Sequence, residues 1–222
     1  MNQTNIKRMT TSAVMLALAT VLALVCALIP FLHLPFGGGF TIASMLPIVV
    51  ISYMYGLRWG FFTSGVFALI QIMISLFQGS SSTVMLLFTP ADEGFMGYGA
   101  AIAILIIDYL LAYGILGIGG IFRKRVKNQT AALVLGVVVA LSLRYLCHIV
   151  SGFIFYGSWA EWFFTQENFY AFGSWVVDRV DGLGLSLLYS VFYNGLYMIP
   201  EIIVTALCAV PVSRIRYVTI QN

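Results

Sequence analysis

Residues 130–156 read TAALVLGVVVALSLRYLCHIVSGFIFY, an apolar run with an arginine and a histidine inside it. A hydrocarbon core of about 30 Å takes roughly 20 apolar residues of helix, so the run predicts a membrane span. Ionisable groups are costly in lipid and persist where they face a protein interior or a cavity, so Arg144 and His148 mark a polar centre. This stretch decides the fold class: an all-α bundle in a membrane, built around something polar.

The rest of the chain agrees with that reading. Its 222 residues are 61% hydrophobic and 9% charged, with a mean hydropathy of +0.98, too little charge for a water-soluble surface. Five further segments qualify as spans, at about 10–32, 42–56, 59–78, 99–122 and 185–210. With 130–156 they predict six transmembrane helices in one membrane domain over 1–222. The segment 42–56 is short for a full crossing, which suggests a break near Pro47 or a tilt. The apolar run after Lys7 and Arg8 continues to Ile29 and Pro30, too long for the core of a signal peptide, and predicts a retained first span. Cys26, Cys147 and Cys208 lie in apolar runs without ligand spacing, so neither a disulfide framework nor a metal site is expected. A net charge of +3 gives no footprint for nucleic acid.

Positive charge orients the bundle. With both termini in the cytoplasm, Lys7, Arg8, Arg58, Arg123, Lys124, Arg125, Lys127, Arg214 and Arg216 all fall inside, nine of the 11 Lys and Arg. Three connections then lie outside, near 33–41, 79–98 and 157–184. The last two are long and rich in aromatics and glycine, among them Trp159, Trp162, Phe163, Phe164, Tyr170, Phe172 and Trp175. Two readings stand: an interfacial aromatic belt, or a lid over a pocket.

Three intramembrane stretches are polar: Asp108-Tyr109, Arg144 to His148, and Tyr189 to Asn194. Counting from the outer ends of their spans at 1.5 Å per residue places Asp108, His148 and Asn194 roughly 12–14 Å deep, at one level. Tyr145, His148, Gly152 and Tyr156 follow one helical face; Tyr189, Tyr193, Tyr197 and Glu201 follow another. Packing is the ordinary role of such an aromatic stripe. A carboxylate, an imidazole and a carboxamide converging on it point instead to an outward-facing pocket. The deeper pair Arg144 and Glu201 is expected to form a structural ion pair. One carboxylate among tyrosine and histidine rings suits a flat, nitrogen-rich cation, with Asn194 and Tyr189 supplying directional hydrogen bonds. A phosphate-bearing ligand would want Lys or Arg near the mouth.

At these residues the sequence resembles the thiamine-specific S components (the ThiT family) of energy-coupling factor (ECF) vitamin transporters. The similarity is carried by Ile107-Asp108-Tyr109, Gly117 to Arg123, Arg144 to Gly152, Phe155 to Ser158, and Tyr189 to Gly195. It implies a six-helix membrane protein of prokaryotic type that needs no cofactor and binds thiamine from outside. It also implies partners: a transmembrane coupling subunit and two cytoplasmic ATPase subunits. In that family the positions of Asp108, His148, Tyr189 and Asn194 contact the vitamin, and an aromatic eight residues after the histidine, here Tyr156, stacks on it. Tyr109 beside the carboxylate joins the expected site. Phe36 or Phe40, in the glycine-rich first outer loop, is the expected stacking ring there. An Ala-x-x-x-Ala face on the first helix docks the coupling subunit, matching Ala13 and Ala17. Small residues four apart are also a general helix-packing device, and Ala19, Ala23 and Ala27 repeat it on another face. The chain departs from the family pattern in carrying Asp108 for Glu and Tyr156 for Trp.

Other readings differ in their tests. An S component for a thiamine precursor or another vitamin shares the fold. An intramembrane enzyme using Asp108 and His148 would need a catalytic motif, and the sequence offers no HExxH, Gly-x-Ser-x-Gly or paired aspartates. A self-sufficient ion-coupled transporter would show repeated halves, which are missing here.

Overall fold

The segment Leu46–Tyr55 (α2) has ten residues, nine of them buried. At 1.5 Å per residue it spans only about 15 Å, and a helix apolar on all sides belongs inside a protein. It therefore forms the core around which longer helices stand. Pro47 lies in its first turn, where the missing N–H leaves no intrahelical bond unmade, so the proline starts this helix and does not break it.

The computed structural model describes residues 3–34, 38–77, 83–90, 95–167 and 170–219. In chain order its helices are α1 (Gln3–Ala27), α2, α3 (Leu57–Phe77), α4 (Thr83–Phe88) and α5 (Tyr98–Gly120). They continue with α6 (Gln129–Phe155), α7 (Ala160–Phe164), α8 (Tyr170–Val177), α9 (Gly182–Ser213) and α10 (Arg216–Thr219). Among the described residues five of these, α1, α3, α5, α6 and α9, are long and apolar enough to cross a membrane. Their outward faces carry exposed Val14, Leu24, Phe62, Leu69, Ile154 and Leu207, a surface suited to lipid.

Small residues draw the helices together. The chain turns from α2 into α3 at Gly56, whose φ of 88° belongs to the region that only glycine enters freely. A Cβ at Gly117 would strike the Phe61 backbone, and one at Gly136 would strike the Gly119 carbonyl. Such contacts let membrane helices pack without side chains between them. Ser52 adds polar bridging: it donates to the Gly117 carbonyl and accepts from Gly120 N–H at 3.0 Å.

The helix α5 is not uniform. Leu105–Leu111 winds as a π-helix, and Ile115–Gly120 tightens to a 3-10 helix. Widened turns of this kind occur mostly as single inserts at functional sites, and this one contains Asp108. On α1, Ala13 and Ala17 are exposed, whereas Ala19, Ala23 and Cys26 are buried.

The aromatic connection after α6 packs on the bundle. Phe163 and Phe164 are buried, and the Phe163 ring stands 5.4 Å from Tyr189 and 6.0 Å from Tyr193 between centroids. Trp162 and Trp175 remain partly exposed.

Candidate ligand site

Asp108 reaches across from α5 to α6. Its Oδ1 shares a 2.8 Å hydrogen bond with His148 Nδ1, and its Oδ2 accepts from Ser151 Oγ at 2.5 Å. His148 and Ser151 lie three apart and so share a helix face. With Nδ1 committed to the carboxylate, the His148 ring has Nε2 left for another partner, and that atom is buried without one.

Asn194, on α9, is tied into the protein. Its Nδ2 donates to the carbonyls of His148 (3.2 Å) and Ser190 (2.8 Å), and its Oδ1 accepts from Tyr197 at 2.6 Å. These bonds join α9 to α6 and hold the Tyr197 ring. Gly152 permits the approach, since a Cβ there would meet Ser190 Oγ and Asn194 Nδ2.

Between these helices lies a cavity of about 190 Å³. Asp108, Tyr109, His148, Tyr156, Tyr189 and Asn194 all line it, so six of the residues expected from sequence come together. Phe36 lies outside the described residues, while Phe40 lines the cavity. The wall also includes Tyr193 and Tyr197 from the expected aromatic face, and Gln71, Ser75 and Tyr113, which the sequence reading did not select. Gln71 was detectable as a carboxamide in the interior of the run 59–78, one turn before Ser75. Tyr145 does not line the cavity; its hydroxyl donates to the Val191 carbonyl at 2.6 Å and serves helix packing. Nor does any described residue of 157–184 line it; the aromatic connection braces the tyrosine wall from behind.

The segment 38–41 closes one side. Gly38 N–H donates to the Tyr193 hydroxyl at 3.2 Å, and a Cβ at Gly38 would lie 3.1 Å from the Tyr197 ring. Thr41 donates to Glu201 Oε2 from its backbone N–H at 2.6 Å and from its hydroxyl at 3.1 Å.

This last contact corrects the expected Arg144–Glu201 ion pair. Among the described residues the salt bridge is His148 with Asp108. Glu201 turns to Thr41 and Thr205, whose N–H and hydroxyls satisfy the carboxylate. Arg144 sits between Met45 Sδ at 2.9 Å and Met198 Sδ at 3.6 Å, with its guanidinium 4.3 Å from the centre of the Tyr113 ring. It lines the same cavity as Asp108 and does not belong to a separate deeper pair.

Comparison with known proteins gives one consistent result. Residues 9–91 and 93–164 match the family described as "Thiamine transporter protein (Thia_YuaJ)". The chain is 29% identical over 218 residues to the thiamine transporter ThiT of Bacillus subtilis (strain 168), covering 93% of this chain and 91% of that one. Its fold resembles the structure of ThiT from Listeria monocytogenes, with a TM-score of 0.59 over 97% of both chains at 19% identity; this likeness concerns the fold alone. The family is one of transporters, and the long apolar helices make the chain a multi-pass protein of the cell membrane. The chain belongs to the Thia_YuaJ thiamine transporter family.

Proposed function

We propose that this protein is the substrate-binding S component of an ECF-type transporter and holds thiamine in the cavity around Asp108. The observation that carries the reading is a half-buried carboxylate, paired with His148, in a cavity walled by Tyr109, Tyr156, Tyr189, Tyr193 and Tyr197. Aromatic faces attract a cation, and in a low-dielectric site the Asp108 charge favours the cationic ring over a neutral isostere. His148 Nε2 is free to bond a polar group of the vitamin. Tyr156 supplies the stacking surface, and Phe40 adds a second aromatic ring to the lining.

Transport in this reading requires a coupling subunit, docked on the exposed Ala13 and Ala17 face of α1, and two cytoplasmic ATPase subunits. The chain forms one membrane domain with α2 counted as a sixth, half-length segment. Both termini face the cytoplasm, an orientation supported by the clustering of Lys and Arg on one side.

Competition between thiamine and its isolated aminopyrimidine half for the purified protein tests the ligand assignment. Thiamine is expected to bind at least about tenfold more tightly, because the aminopyrimidine half lacks the charged ring. Equal binding of the two would assign the site to a precursor.

A further inference from the structure

We infer that Gln71 is a further recognition residue, reading the amino edge of the ligand's pyrimidine ring; the inference rests on the thiamine reading above. Gln71 projects from α3, a helix to which sequence reasoning gave no ligand contact. It is 8% exposed and lines the cavity, and among the described residues its carboxamide takes part in no hydrogen bond. A carboxamide facing a cavity with no protein partner is left to pair with whatever occupies that cavity. Its neighbour Ser75, one turn on, is occupied, accepting from Tyr109 Oη at 3.2 Å.

Asn194 is the contrasting case. Both are carboxamides lining the same cavity, yet the Asn194 amide donates to His148 and Ser190 and accepts from Tyr197. It holds helices together. Gln71 alone of the two has its carbonyl and amino group both free. A carboxamide sets an acceptor beside a donor, the complement of an amino group next to a ring nitrogen; Gln and Asn read the adenine edge by the same pairing. The site thus divides its work. Asp108 between α5 and α6 holds the cationic ring, and Gln71 on α3 fixes the edge of the neutral one. Since the amide can rotate to present either order, it selects for an edge with paired donor and acceptor against one with a hydrogen in place of the amino group.

Calorimetric titration of wild type, Gln71→Met and Gln71→Ala with thiamine and with its des-amino analogue tests this. Wild type is expected to prefer thiamine by at least about tenfold, the scale of a well-made pair in a buried site. Gln71→Met is expected to lose that preference by weakening thiamine alone, while the ligand-free protein melts no lower than wild type because an unpartnered amide has been removed. Gln71→Ala is expected to do the same, which guards against a packing defect peculiar to methionine. Preference retained in both variants, or both ligands weakened equally, would overturn the inference. Wild type that does not bind thiamine at all would overturn the function reading itself, a distinguishable result.

Discussion

Asp108 is a short carboxylate held by two donors, His148 and Ser151, in a wall of aromatic rings. Its charge, more than its shape, is what the cavity offers a cation. Asp108→Asn keeps the shape and removes the charge, and is expected to weaken thiamine binding at least tenfold, about 1.4 kcal/mol or more, by calorimetry. Wild-type affinity in that variant would place the cation elsewhere. Asp108 and His148 were legible in the sequence because ionisable groups stand out in an apolar run. Asn194 was legible as a polar residue but not as an inter-helix tie, since hydrogen-bond partners are set by how α6 and α9 cross. Gln71 was overlooked because a neutral amide in a long span carries a weaker signal than a charge.

The helices themselves followed from hydropathy, and helices overlie every expected segment. What composition could not show was their internal geometry. The π-helical stretch over Leu105–Leu111 leaves no mark in residue type, yet it carries Asp108. The ion pair expected between Arg144 and Glu201 failed for a similar reason: a backbone N–H, at Thr41, competed for the carboxylate. That contact pins the segment 38–41 over the cavity. Glu201→Ala removes the acceptor of both Thr41 donors and is expected to speed thiamine dissociation in stopped-flow fluorescence. The expected loss is about 1 kcal/mol, the low end of the cost of unpaired donors, because Thr41 is only half-buried. An unchanged dissociation rate would show that the segment is held by Gly38 and Tyr193 instead.

At the scale of the molecule, α1 presents two alanine faces. One, with Ala19 and Ala23, is buried, and Ala23 and Ala27 border the cavity; the other, with Ala13 and Ala17, is open. The sequence repeats the spacing on both faces, and only the fold tells which is already in use. Ala17→Trp is expected to leave thiamine binding intact and to abolish ATP-dependent uptake in vesicles containing the coupling subunit and ATPases. Uptake at the wild-type rate would move the docking surface off this face. All of these expectations depend on the cavity being a thiamine site. Titration of the purified protein with thiamine, followed by tryptophan fluorescence or heat, tests that most directly. Saturable one-to-one binding with a dissociation constant below the micromolar range is expected; no saturable binding at micromolar thiamine would rule out a thiamine site.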